Sequence, residues 1–140
     1  MSIGNVVEDF LSRGLECSIV NCFIDSKTCG SQTLAFKIKE KIILIVTDKE
    51  KEISVGKFLH YFKASPSKLT KNETREITGH PVGGLSPFGL KNDLKVYIDI
   101  SLKGNDYISV CAGMKNYVVK VTPSEMLEIT GGEWIDIWEK

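Results

Sequence analysis

The part of the chain best suited to chemistry is a run rich in glycine and proline at residues 78–90. It holds four glycines and two prolines. Glycine lets a backbone approach a ligand closely, and proline fixes the path of a loop. A rigid loop with exposed N–H groups can hold a carbonyl oxygen that becomes negative during ester hydrolysis, or it can hold a phosphate. A tight structural turn would explain the same composition equally well.

The spacing within this run narrows the choice of ligand. It matches neither the phosphate loop G-x-x-x-x-G-K-[ST] nor the dinucleotide motif G-x-G-x-x-G, which argues against a nucleoside triphosphate or dinucleotide site. His80 lies inside the run, and histidine ordinarily titrates near neutrality, so it is a candidate for general acid–base catalysis. The alternative is a loop histidine that hydrogen-bonds to the backbone and shapes the turn.

The cysteines do not indicate a metal or redox site. Cys17, Cys22, Cys29 and Cys111 lie in or near apolar, strand-like runs, and none of them forms a C-x-x-C pair. We interpret them as reduced residues in or near the core, so no metal is expected. Cys29, in the polar run 25–31, is the one that could be an exposed thiol, and it would need a neighbouring base to act as a nucleophile.

Length and charge predict one compact domain over residues 1–140. Eighteen basic residues balance eighteen acidic ones, so any contact with RNA must come from a local arrangement of lysines such as Lys57, Lys63, Lys68 and Lys71. Charged residues interrupt the first thirteen positions, which excludes a signal peptide or a membrane span there. We therefore expect a soluble, cytosolic protein that binds neither DNA nor a membrane.

Hydrophobic periodicity and capping residues predict an irregular mixture of helices and strands. Apolar spacing predicts helices over residues 3–13 and 53–62, and cap signals predict two more, from Thr70 to Gly79 and from Thr122 to Gly131. Strands are expected at residues 18–24, 33–38, 42–47, 94–100, 107–111, 117–121 and 134–137. The unalternating run 42–46 suits a central strand covered on both faces. This order favours an α+β fold over a Rossmann fold.

Residues 78–89 closely resemble the T-G-x-x-x-G-G-x-x-P-F-G signature of the YbaK-like and proline-tRNA-synthetase-associated editing deacylases. The resemblance extends along nearly the whole chain, through the first helix, the polar loop 25–28, the strand 94–99, the segment 109–113 and the C-terminal helix and strand at 122–136. It implies a single domain with a mixed, mostly antiparallel and barrel-like β-sheet and peripheral helices. No cofactor, metal or covalent nucleophile is implied.

The resemblance also implies an activity. Members of this family hydrolyse the ester that links a wrong amino acid to tRNA, commonly cysteine or alanine on proline tRNA. The expected partner is therefore the 3′ acceptor end of aminoacyl-tRNA. A transient complex with an aminoacyl-tRNA synthetase is also expected. Backbone amides of the loop hold the substrate carbonyl, and a lysine at the start of a strand organises the ester. The implied catalytic positions are Gly83, Gly84 and Gln32, the last at the place of the family's lysine, and His80 joins them as the acid–base candidate. The implied substrate-binding positions are Ser86, Pro87, Phe88, Gly89, Ala112 and Gly113, and Lys27 in the polar loop could swing inward to replace the lysine.

Two departures from the family pattern leave alternatives open. Gln32 stands where the family has lysine, so hydrogen bonding is kept but the positive charge is lost. The segment 29–31 is also too short for the helix that the family places before this strand. Strand alternation puts Gln32 and Lys37 on opposite faces. Because Gln32 stands at the position of the family's lysine, we expect it to face the same cavity as Gly83 and Gly84, with Lys37 directed elsewhere. An active deacylase, a noncatalytic module that binds aminoacyl-adenosine, an amino acid or a protein, and a hydrolase of another small ester all remain possible.

Overall fold

The computed structural model describes residues 2–21, 30–114 and 116–139. Within them lie four helices and seven strands, together with short 3₁₀ turns at Val82–Gly84 and Ile100–Leu102. The elements are, in chain order, α1 (Ser2–Ser12), β1 (Ile19–Asn21), β2 (Ser31–Ile38), β3 (Lys41–Asp48), α2 (Val55–Phe62), α3 (Lys71–Thr78), β4 (Lys95–Asp99), β5 (Ile108–Cys111), β6 (Tyr117–Val121), α4 (Pro123–Thr130) and β7 (Glu133–Ile135). Residues 22–24 of the predicted strand 18–24 and residues 25–29 of the predicted loop 25–31, with Cys22 and Cys29, lie outside the described residues, and Ser31 already belongs to β2.

The strands form two sheets in an α+β domain. One sheet is antiparallel, in the order β1-β6-β5, and the other is mixed, in the order β2-β3-β4-β7. In the mixed sheet the predicted strands β2 and β3 pair as an antiparallel hairpin, while β3, β4 and β7 are parallel. The expectation of one barrel-like sheet needs a correction, because no ladder joins the sheets in the described part of the chain. At this seam β2 meets β5 through a side chain, since the Ser31 hydroxyl donates to the Ser109 carbonyl at 2.6 Å.

Local capping chemistry sets the helix ends as the sequence predicts. Thr70 and Thr122 each accept a hydrogen bond from the third residue of the helix, whose glutamate side chain accepts in return from the backbone N–H of the threonine. The same helices end at Gly79 and Gly131, both in the left-handed conformation. The rigid start and end of α3 matter for function, because Gly79 leads directly into the glycine-rich loop.

Strand β3 is the centre of the fold, and its two faces cover different clusters. Leu44 and Val46 face a cluster that contains α1, α4, the antiparallel sheet and part of the glycine-rich loop. Ile43 and Ile45 face a smaller aromatic cluster beneath α2. This confirms the prediction of a strand covered on both faces. The mixed sheet therefore separates the side that carries α1 and the glycine-rich loop from the side that carries α2.

Two further observations concern the described residues alone. None of their helices has the length and apolarity needed to cross a lipid bilayer. No group of three or more histidine, cysteine, aspartate or glutamate side chains among them is arranged to hold a metal ion.

Candidate functional site

The glycine-rich loop, residues 78–90, packs backbone against backbone on its neighbours. A Cβ on Gly84 would lie 2.6 Å from the amide nitrogen of Met114, and one on Gly89 would lie 2.5 Å from the carbonyl carbon of Asn5. A Cβ on Gly113 would lie 2.7 Å from the hydroxyl oxygen of Ser2. The loop, the N-terminal half of α1 and the turn at residues 112–114 therefore interlock at three glycines, and a side chain at any of them would separate the segments.

The second half of the loop is fixed to α1 by polar and aromatic contacts. The Gly89 N–H, at a residue with φ of +60°, donates to the Asp9 carboxylate at 2.9 Å. The other carboxylate oxygen of Asp9 accepts from Arg13 at 3.0 Å. The Phe88 ring is fully buried and meets the edge of Phe10, with the ring centroids 4.9 Å apart. These contacts hold residues 88 and 89 in place without a ligand.

His80 is a buried structural residue. Its side chain is 0% exposed, Nε2 lies 2.7 Å from the Phe88 carbonyl oxygen, and Nδ1 is hydrogen-bonded to the Ser2 hydroxyl. Burial lowers the pKa of His80, and the hydrogen bond to the Phe88 carbonyl opposes that shift. The neutral ring therefore donates from Nε2 and accepts at Nδ1. This geometry favours the interpretation that His80 shapes the loop, because no substrate atom can reach the ring.

Most of the other loop residues that the sequence singled out are also internal. Ser86, Pro87, Phe88, Ala112 and Gly113 are all buried. Ser86 accepts from the Phe88 N–H at 3.2 Å, a contact within the loop itself. The sequence could not separate this outcome from ligand binding, because close approach to a backbone and close approach to a substrate both require glycine.

Gly83 is the exception, because it lies at the surface. Val82 and Met114 beside it are each 51% exposed. The Gly83 N–H donates to no group in the described part of the chain. Gly84, one residue further on, is buried against the backbone of the 113–114 turn, and this contact fixes the position of Gly83. The loop thus presents an unpaired backbone donor at Gly83, with the exposed apolar side chains of Val82 and Met114 around it.

A surface cavity of about 590 Å³ lies between α1, the loop and the end of α4. Gly79, Pro87 and Gly89 line it, as do the polar side chains of Asn5, Glu8, Asp9 and Ser12 on one stripe of α1 and of Arg13 just after its end. Leu90 lines it as well, so four residues of the loop border this cavity. Gly83 and Gly84 are not among the residues that line it.

Gln32 lines a second cavity of about 510 Å³, between β2 and α2, which we call the α2 cleft. Leu34 and Phe36 share its face, as strand alternation predicts, but this face belongs to the aromatic cluster beneath α2. The loop packs on the opposite face of the sheet, beside Ala35. The expectation that Gln32 shares a cavity with Gly83 and Gly84 is therefore wrong for the cavities of the described residues.

The two lysines considered as substitutes for the family lysine have different outcomes. Lys37 is exposed and outside the α2 cleft, as predicted, and its backbone N–H donates to the Ser67 carbonyl at 2.8 Å. Lys27 lies outside the described residues. Sequence reasoning missed Glu52 and Lys68 as neighbours of Gln32 in the cleft. Lys68 is brought there by an isolated antiparallel bridge with Phe36, a contact that no local pattern signals.

Comparisons with known proteins agree with this architecture. A family model for the aminoacyl-tRNA editing domain matches residues 22–129. The uncharacterized protein YwhH of Bacillus subtilis (strain 168) is 35% identical over 114 residues, which cover 78% of this chain and 73% of that protein. Proline--tRNA ligase of Bacillus cereus (strain AH187) is 22% identical over 111 residues, which cover 76% of this chain but only 19% of the ligase.

A similar fold occurs in a crystal structure described as a candidate trans-editing enzyme for prolyl tRNA synthetase. It superposes with a TM-score of 0.90 at 23% identity, covering 99% of this chain and 98% of that chain. The two sheets, the peripheral helices and the interlocked loop thus define an editing-domain fold. The match of the family model and the identity to YwhH go further, and the chain belongs to the aminoacyl-tRNA editing domain family.

Proposed function

We propose that this chain is a trans-acting hydrolase that cleaves the ester of mischarged tRNA, with cysteinyl- and alanyl-tRNA for proline as the substrates to test first. The observation that carries the proposal is the unpaired N–H of Gly83, displayed at the surface of the family's signature loop. Family membership supplies the substrate class. The resemblance of one segment to proline--tRNA ligase supports the choice of proline tRNA.

In the proposed reaction the Gly83 N–H donates to the ester carbonyl oxygen, which becomes negative as water attacks. A donor that is already in place stabilises this charge without reorganising, and loss of one such donor typically costs about 10²–10³ in rate. The exposed side chains of Val82 and Met114 border the same surface and would limit the space for the amino acid. A limited space excludes larger amino acids better than smaller ones.

The proposal places the activity in the cytoplasm, where aminoacyl-tRNA is made, and in transient contact with a synthetase. Gln32 is the observation that favours the second candidate, a noncatalytic binding module. A neutral amide replaces a charged group there, and charge-assisted hydrogen bonds are roughly twice as strong as neutral ones. Weak turnover is therefore expected in the wild type.

The test is incubation with a panel of misacylated tRNAs, scored for loss of each ester against uncatalysed hydrolysis. Gly83→Ala keeps the backbone N–H, whereas Gly83→Pro removes it but also disfavours the helical backbone of Val82 before it, so a loss is assigned to the donor only if Gly83→Pro unfolds at the same urea concentration as Gly83→Ala. We expect Gly83→Ala to retain most of the deacylation and Gly83→Pro to lose it. If the wild type binds the tRNAs but removes no ester above background, the binding module replaces the hydrolase.

A further inference from the structure

The α2 cleft combines apolar walls with separate polar groups that point to one class of ligand. Its walls are Leu34, Ile53, Val55 and Pro66, over a floor made by the buried ring of Phe36. Its volume of about 510 Å³ lies within the ~300–1,000 Å³ usual for sites that hold small molecules. The polar groups are Gln32 and Glu52 on one side and Lys68 on the other.

The position of Lys68 is fixed by the backbone. Lys68 pairs with Phe36 across an isolated antiparallel bridge, and the adjoining hydrogen bond from Lys37 to the Ser67 carbonyl holds the segment against the edge of β2. Directly paired residues have side chains on the same face of a sheet, so Lys68 projects on the side of the cleft. Among the described residues it has no ion-pair partner, which leaves its ammonium group available to a ligand.

Hydrogen-bond acceptors lie at the opposite end. Gln32 donates from its amide nitrogen to the Lys51 carbonyl at 3.2 Å, which leaves the amide oxygen free to accept. The Glu52 carboxylate adds a second acceptor and has no ion-pair partner within the described part of the chain. Gln32 and Phe36 are four residues apart on β2, so the acceptors and the cation are separated by about 13 Å along the strand. The cleft thus offers acceptors, then an apolar slot, then a cation.

We infer that the α2 cleft binds one nucleotide of the single-stranded 3′ end of tRNA. A base with an exocyclic amine donates to Glu52 and the Gln32 amide oxygen, its faces pack on the apolar walls, and its phosphate pairs with Lys68. A carboxylate accepting from the N4 amine of cytosine is a standard contact in base recognition. Mature tRNA ends in C-C-A, whose bases all carry such an amine. The naming of tRNA rests on the proposed function, whereas the nucleotide chemistry rests on the cleft alone.

The strand that carries Gln32 also leads toward the glycine-rich loop. Ser31, the residue before Gln32, is hydrogen-bonded to Ser109 of β5, and the chain continues from β5 to Met114 beside Gly84. A strand of RNA held in the cleft would therefore pass the edge of β2 toward Gly83. In this arrangement Lys68 supplies positive charge on the side of the sheet where the family places its lysine.

The test uses CMP, cytidine and UMP as probes in calorimetric or NMR titrations of the whole chain. We expect CMP to bind about fivefold more tightly than cytidine, because an exposed ion pair contributes up to that much. UMP presents a carbonyl where CMP has the amine, so we expect at least about fivefold weaker binding. Lys68→Met should remove the advantage of CMP over cytidine, and Glu52→Gln should reduce the preference for CMP over UMP, because an amide can also donate to the UMP carbonyl.

Two variants serve as controls, and each is checked for a wild-type unfolding transition. Lys91→Met alters a lysine of the other cavity and should leave CMP binding unchanged. Val55→Trp, at a residue 58% exposed on α2, should fill the cleft and abolish binding of CMP. Equal affinities of the wild type for CMP and cytidine, an advantage of CMP that survives in Lys68→Met, or no saturable binding of CMP would each overturn the inference.

The outcome is separable from that of the proposed function. If the wild type removes esters from the tRNA panel but CMP binding does not depend on Lys68, the inference fails and the hydrolase stands. If CMP binding depends on Lys68 and Glu52 as expected while no ester is lost, the nucleotide site stands and the hydrolase fails.

Discussion

Adding one methyl group at Gly84 should destabilise the whole fold. The Cβ of Gly84→Ala would lie 2.6 Å from the Met114 amide nitrogen and 2.7 Å from the Gly113 carbonyl carbon. Both neighbours are backbone atoms, so no side-chain rotation can relieve the overlap, and the loop or the turn must move. Overpacking of this kind costs roughly 1–3 kcal/mol, which is about a five- to 150-fold change in the ratio of folded to unfolded protein.

The assay is urea unfolding followed by the fluorescence of Trp134 and Trp138, with Gly104→Ala as the control. An added Cβ on Gly104 would have no atom within 4 Å, so that variant should lie within about 0.5 kcal/mol of the wild type. If Gly84→Ala unfolds at the same urea concentration as Gly104→Ala, the interlock does not stabilise the fold. Wild-type stability with lost deacylation would mean instead that the Cβ obstructs a ligand.

Four other substitutions test the remaining features of the two sites. Gly89→Ala should lower the stability of the fold at least as much as overpacking alone, because its Cβ would lie 2.5 Å from the Asn5 carbonyl carbon and its φ is +60°. In urea titrations Asp9→Asn should lose less stability than Gly89→Ala, since the amide oxygen of asparagine can still accept from the Gly89 N–H. The pKa of His80 is lowered in the folded state, so the stability that its neutral ring contributes is complete above about pH 6.5 and is lost as the pH falls below that value. The free energy of unfolding should therefore depend less on pH between about pH 5 and 7 in His80→Gln than in the wild type. Gln32→Lys should raise deacylation about ten- to a hundredfold, because a charge-assisted hydrogen bond from the α2 cleft to the tRNA end would contribute about one to three kcal/mol, and unchanged background hydrolysis with intact tRNA binding would remove the catalytic interpretation.

The elements themselves were predictable from the sequence because their signals are local. The capping boxes at Thr70 and Thr122 are read from residues three positions apart, and the structure confirms both. The apolar run 42–46 predicted a central strand, and β3 is covered on both faces. Helix α1 begins and ends one residue before its predicted bounds. These features depend on neighbours along the chain rather than on neighbours in space.

The arrangement of the candidate site was less predictable because it depends on contacts between distant segments. Alternation correctly placed Gln32, Leu34 and Phe36 on one face of β2, but it could not tell which face looks toward the glycine-rich loop. The return of the segment that carries Lys68 to the edge of β2 depends on a bridge across more than thirty residues. No motif or period in a single sequence records such a contact.

The buried glycines change how loss of activity in this loop should be interpreted. A variant at Gly84 or Gly89 separates segments that the fold holds together, so lower deacylation would follow from a displaced loop even if neither residue touched the substrate. Gly83 differs, because its amide is unpaired among the described residues and its surface is open. Activity measurements on variants of Gly83 therefore report on the chemistry there, and binding measurements on variants of Lys68 report on the ligand. At the buried glycines, a loss of activity must first be compared with the measured loss of stability, and only a loss that exceeds it indicates a catalytic role.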